Sequence, residues 1–164
     1  MHLHRATPIL RSTLPVIGLA ALTAALARPA HAQAKFGSQL DFSSDVYGFG
    51  VGVREWIPAA KNIVLIGSFD CYFQSLRDVL PDLSVGAAYR FQSPRAAVQP
   101  YVGPGLGIVH FPVTFRPNTL VLHLLGGLRL GRRAFVELRL RTSLGYQHFD
   151  PGSSPTTLTG GLFF

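Results

Sequence analysis

From position 35 onward, apolar residues alternate with polar or small ones. This is the period-two signature of β-strands whose two faces meet different surroundings. Eight segments carry it. Over 35–43, Phe36, Leu40 and Phe42 share one face and Gln39 and Asp41 the other. Over 46–56, Tyr47, Phe49, Val51 and Val53 oppose Gly48, Gly50, Gly52 and Arg54. Over 62–73, Ile63, Leu65, Phe69, Cys71 and Phe73 oppose Ser68 and Asp70. Over 83–91, Leu83, Val85, Ala87, Tyr89 and Phe91 oppose Ser84, Gly86, Ala88 and Arg90. Over 100–111, Val102, Leu106 and Ile108 oppose Gly103, Gly105 and Gly107. Over 119–130, Leu120, Leu122, Leu124, Leu128 and Leu130 oppose His123 and Arg129. The pattern is clearest over 134–146, where Val136, Leu138, Leu140, Leu144 and Tyr146 alternate with Glu137, Arg139, Arg141, Ser143 and Gly145. Over 156–164, Leu158, Leu162 and Phe164 oppose Thr157 and Thr159.

One face is therefore grease, and the other is glycine, small polar groups and charge. A soluble ligand-carrying barrel would turn its apolar face inward. The reverse arrangement belongs to a transmembrane barrel, whose strands take about 9–11 residues each and alternate lipid-facing with lumen-facing side chains. The predicted fold is all-β: an eight-stranded antiparallel up-and-down transmembrane β-barrel over 33–164, preceded by a cleavable signal peptide over 1–32. Intervening stretches at 57–61, 92–99 and 131–133 would be periplasmic turns. Those at 44–45, 74–82, 112–118 and 147–155 would be external loops, and they hold the Pro, Gly, Ser, Asn and Asp that break strands. Tyr47, Trp56, Phe73, Phe91, Tyr101, Phe111, Phe135, Tyr146 and Phe164 fall near predicted strand ends, where interfacial aromatic girdles lie.

The leader is read from its order of parts. Positions 1–11 are basic, 14–27 (LPVIGLAALTAALA) are apolar, and Ala30-His31-Ala32 fits a small-x-small cleavage site. Cleavage after Ala32 would make Gln33 the new terminus. No apolar run after it reaches the roughly 18 residues a membrane helix needs. Only helices and closed barrels satisfy their backbone groups in lipid.

Composition sharpens this reading. Among 164 residues, 48% are hydrophobic and only 14% charged, against about 25% charged in soluble domains. Mean hydropathy is +0.28. The formal charge is +7, of which Arg5, Arg11 and Arg28 lie in the leader. The other arginines are dispersed and form no basic helix, which argues against nucleic-acid binding. The single cysteine, Cys71, allows no internal disulfide and no paired metal motif.

Three features resemble the small outer-membrane barrels of the OmpA, OmpX and opacity-protein type. They are the segment Gln99-Pro100-Tyr101-Val102-Gly103-Pro104-Gly105-Leu106-Gly107, the hairpin from Gly126-Gly127-Leu128-Arg129-Leu130 into Phe135-Val136-Glu137-Leu138-Arg139, and the terminal Phe164. The resemblance covers 35–164. It implies residence in the cell outer membrane after export to the periplasm, with outer-membrane lipid and lipopolysaccharide as surroundings. It also implies handling by periplasmic chaperones and the barrel-assembly machinery, and Leu162 and Phe164 would carry the assembly signal. It implies no appended peptidoglycan-binding domain. A monomer is expected.

Candidate chemistry lies on the inward face. Asp41, Asp70 and Glu137 stand against Arg54, Arg90, Arg129, Arg139 and Arg141. An eight-stranded barrel has room only for its own side chains, and buried charges must pair. The expectation is two polar layers, each bonded internally, that plug the lumen: Arg54, Arg90, Arg129 and Glu137 at the periplasmic level, and Asp41, Asp70, Arg139 and Arg141 above them. The function read from this is a plugged barrel with a structural or surface-interaction role and no evident catalysis. The alternatives are a narrow pore for small solutes or a barrel enzyme acting on lipid A or phospholipid. His110, His123, His148, Ser68 and Asp70 supply the residue types of a catalytic triad, but no motif orders them. Gly103–Gly107 (GPGLG) lacks dinucleotide-loop spacing, and its alternate glycines would make room for arginines across the lumen. No cofactor or metal is implied.

Overall fold

The computed structural model describes residues 34–44, 48–73, 79–91, 97–110, 118–144 and 156–164. The strands are β1 (Lys35–Ser43), β2 (Phe49–Pro58), β3 (Ile63–Phe73), β4 (Val79–Arg90), β5 (Val98–Val109), β6 (Thr119–Leu130), β7 (Ala134–Leu144) and β8 (Thr156–Phe163). Each pairs antiparallel with the next, and β1 pairs with both β2 and β8, so the sheet closes into a barrel in sequence order. Closure leaves no unpaired strand edge, which is what lets a sheet sit in lipid. The leader, Val46, Tyr47, Phe111, Gly145, Tyr146, His148 and most of the loop residues lie outside the described residues.

The faces follow the alternation. Phe36, Leu40, Phe42, Val53, Val85, Leu106, Leu124, Leu138, Leu140, Leu158 and Leu162 are exposed on the outer wall. Asp41, Asp70, Glu137, Arg54, Arg139, Arg141, Thr157 and Thr159 are buried inside. Soluble monomers rarely expose contiguous apolar patches larger than a few hundred Å². Here the whole circumference is apolar, as a wall against acyl chains would be. At the end of the barrel that carries Lys35 and Phe164, β6 and β7 join through a tight turn at Gly131, whose φ of 59° suits glycine.

Four expectations change. First, β2 begins at Phe49, not 46. Gly48 is not an inner-face strand residue but a turn residue with φ 63°, and its carbonyl accepts from Ser43 N at 2.8 Å. Second, β4 begins at Val79, so 79–82 are strand and not loop. Pro81 sits within it opposite Cys71, and its carbonyl takes the His110 N–H at 2.9 Å. A proline lacks only its own N–H donor. Third, Trp56, Tyr101 and Phe135 are not girdle residues: each is buried in the lumen. Phe73, Phe91 and Phe164 do lie exposed on the outside. Fourth, the interior is not purely polar. Its terminal end is filled by Trp56, Val64, Ile66, Ala88, Tyr101, Leu125, Phe135 and Phe163. The opposite end is filled by Tyr72, Leu80, Val109 and Val121.

Candidate functional site

The centre of the lumen is an ionic chain built from three strands, β2, β3 and β7. Glu137 of β7 is fully buried. It accepts two bonds from Arg54 of β2, Nη1 to Oε2 at 3.0 Å and Nη2 to Oε1 at 2.5 Å. Two parallel bonds of this kind match the planar fork of a guanidinium. Glu137 Oε2 also accepts from Tyr101 Oη at 2.9 Å, and Oε1 from Arg139 Nε at 2.7 Å. Arg139 reaches on with Nη1 to Asp70 Oδ2 at 3.2 Å. Asp70 Oδ1 accepts from Gln39 Nε2 at 2.5 Å, and Oδ2 from Ser68 Oγ at 3.2 Å. Ser68 and Ser84 share a hydroxyl bond of 2.7 Å. A second pair lies nearer the loop end, where Arg141 donates to Asp82 and, at 2.8 Å, to Tyr72 Oη. Asp41 Oδ1 accepts from Thr159 Oγ1 at 2.5 Å.

Arg139 therefore bridges the two levels: Glu137 and Asp70, expected in separately bonded layers, are tied to each other through it, and Arg141 with Asp82 and Tyr72 forms a second group nearer the loop end. Alternate residues of a strand share a face, so Glu137, Arg139 and Arg141 stand in one inward row along β7, one anion followed by two cations. Arg90 and Arg129 are outside this network. Arg90 Nη2 donates to the Lys61 carbonyl at 3.0 Å and Arg129 Nη2 to the Arg132 carbonyl at 3.4 Å. Both guanidiniums turn toward the rim, to these turn carbonyls, whereas their register partners Tyr101 and Phe135 contact Glu137 and Arg54.

The two apolar clusters give the network its dry setting. Trp56 packs edge-on against Tyr101 (centroids 4.9 Å, 78°) and Phe163 (5.5 Å, 87°), and Phe135 lies 5.0 Å from Phe163. The Arg54 guanidinium sits 4.4 Å above the Phe135 ring. This cation–π contact covers the face of the charge that its carboxylate does not. Glycine makes the space. Gly105 stands opposite His123, Gly127 opposite Tyr101, Gly161 opposite Phe135, Gly52 opposite Asp70 and Gly50 opposite Tyr72. At each of these, an added Cβ would collide with that very partner. The inward glycines thus admit rings and a carboxylate from the adjacent strand, where arginines from across the lumen were expected.

Asp82, Tyr72 and Tyr101 bond to the buried charges and were not read as inward from the sequence, whereas Gln39 and Thr159, placed on the inner face, bond to Asp70 and Asp41. Parity was the available signal for the aromatics: Tyr101 shares the face of Gly103, Trp56 that of Arg54, and Phe135 that of Glu137. Of the candidate triad residues, Ser68 bonds to Asp70 and Ser84, while no hydrogen bond joins His123 to either serine. His110 Nδ1 and Asn118 Oδ1 lie 2.6 Å apart on the exposed side. His148 is outside the described residues.

A closed eight-stranded cylinder with a polar axis and an apolar wall has known counterparts. The N-terminal β-barrel domain of Pseudomonas aeruginosa OprF superposes with a TM-score of 0.57 at 17% identity, over 82% of this chain and all of that one (100%). The fold is that of the small outer-membrane barrels. A de novo designed transmembrane β-barrel matches with a TM-score of 0.53 at 13% identity, over 84% of this chain and 98% of the design. Neisserial surface protein A gives 0.48 at 13% identity, over 81% of this chain and 97% of that one. No family model matches the sequence, and no curated protein resembles it closely enough to register. At these identities the likeness concerns architecture, and activity must be sought in the residues themselves.

Proposed function

We propose that the chain is an outer-membrane barrel with a sealed lumen and a structural or surface-interaction role. One observation carries this reading. The four charges Arg54, Glu137, Arg139 and Asp70 are bonded in series, are essentially inaccessible to solvent, and are capped at both ends by buried apolar clusters. A conducting path would need water beside these groups. A surface enzyme would need its nucleophile exposed, whereas Ser68 and Ser84 are buried in the plug. In this reading the apolar wall contacts outer-membrane lipid and lipopolysaccharide. Exposed Leu162 of the final strand and Phe164, which follows it, are presented to the barrel-assembly machinery during biogenesis.

The test has two parts. The protein should fractionate with detergent and migrate faster on gels unheated than heated. In planar bilayers the purified barrel should give no steady conductance. Sustained open channels would overturn the sealed-lumen reading while leaving the membrane reading intact.

A further inference from the structure

We propose that the terminal mouth of the barrel binds the phosphate-bearing headgroup of an anionic phospholipid. The proposal rests on the reading that the outer wall faces lipid. Lys35, Arg90 and Arg129 each stand directly opposite an aromatic of the terminal plug: Lys35 opposite Trp56, Arg90 opposite Tyr101 and Arg129 opposite Phe135. The three cations therefore ring the outer edge of the plug. Arg132, in the exposed turn between β6 and β7, joins them, and Lys35 lies within electrostatic range of Arg129, Arg132 and Arg90. Among the described residues, none of the four is in an ion pair. Arg90 and Arg129 are held by backbone carbonyls, and the Nε of each is left without a partner. Glu55, half-buried at this end of β2, forms no ion pair with them.

Like charges gathered without counter-ions are unfavourable unless an anion satisfies them. Guanidinium donors suit phosphate oxygens. The wall decides the source. Lys35 is followed in sequence by exposed Phe36, and Arg129 by exposed Leu130, with Leu162 exposed on neighbouring β8 and Phe164 exposed just past its end. The collar thus lies level with the last apolar residues of the wall, at the depth of a leaflet's headgroups. A cation at such a surface strengthens anionic lipid binding about fivefold.

The experiment is native mass spectrometry of the folded barrel, released from micelles doped with equal phosphatidylglycerol and phosphatidylcholine. Unheated gel mobility confirms the fold of every variant. The wild type should retain phosphatidylglycerol preferentially. Arg129→Gln with Arg132→Gln should reduce that preference about twenty-fivefold, two charges' worth, while millimolar inorganic phosphate leaves it in place. Equal retention of the two lipids, or an unchanged preference in the variant, would overturn the proposal with the lipid-facing wall still standing. Displacement by inorganic phosphate would overturn the lipid source. Retention of neither lipid would sink this proposal and the wall reading together.

Discussion

Replacing Glu137 with glutamine tests the network at its most connected point. The carboxylate accepts four bonds, two from Arg54, one from Arg139 and one from Tyr101, and it is fully buried. Glutamine keeps one acceptor oxygen but turns an NH₂ group toward guanidinium donors. Arg139 retains Asp70, whereas Arg54 loses its carboxylate altogether. Breaking a buried ion pair by removing one partner destabilises by about 3–5 kcal/mol, because the surviving charge stays buried. At a urea slope of about 2 kcal/mol/M, the unfolding midpoint should fall by roughly 2 M. The sole tryptophan, Trp56, packs 4.9 Å from the Tyr101 ring that borders Glu137, so its fluorescence reports on this region during unfolding from lipid vesicles. Arg54→Met combined with Glu137→Met removes both charges, and it should fall much closer to wild type than Glu137→Gln alone. A Glu137→Gln midpoint within about 0.3 M of wild type, or a double variant as damaged as the single, would refute the claim that uncompensated charge is what the network prevents.

Other outcomes follow from the same geometry. Gly103→Ala places its Cβ against the Ala87 carbonyl and Ala88 backbone, so it should lose about 1–3 kcal/mol by urea titration. Gly160→Ala, with nothing within 4 Å, should be neutral or slightly stabilising in the same assay. Leu138→Arg, midway along β7 on the wall, should reduce stability in vesicles by about 2–4 kcal/mol, and Leu130→Arg at the rim by about 0–1 kcal/mol. Equal effects at the two depths would argue against a lipid-facing wall. Asp82→Asn should weaken the Arg141 pair and increase amide exchange at the loop end of β4 and β7, leaving the Arg54–Glu137 end unchanged.

The linear order of residues determined the strand count, the sense of every face and the choice of membrane over water. The physical reason is that a strand's side chains alternate by geometry alone, so Leu138 and Arg139 must face opposite ways whatever the rest of the chain does. It even held the sidedness of Trp56, Tyr101 and Phe135, which share parity with inward residues; nearness to a strand end obscured that. Pro81 hid the start of β4, and with it Asp82, because proline reads as a breaker although only its own N–H is missing. The partnerships were decided only by closure and register. Arg54 meets Glu137 across 83 residues of chain, and Arg139 meets Asp70 across 69. Alternation says that such charges point inward, but it does not set their depth along the axis, which depends on how each strand slides against its neighbours. That is why Arg139 could tie Glu137 to Asp70 across two levels, and why Arg90 and Arg129, with the same inward sense, turned toward the rim and its turn carbonyls.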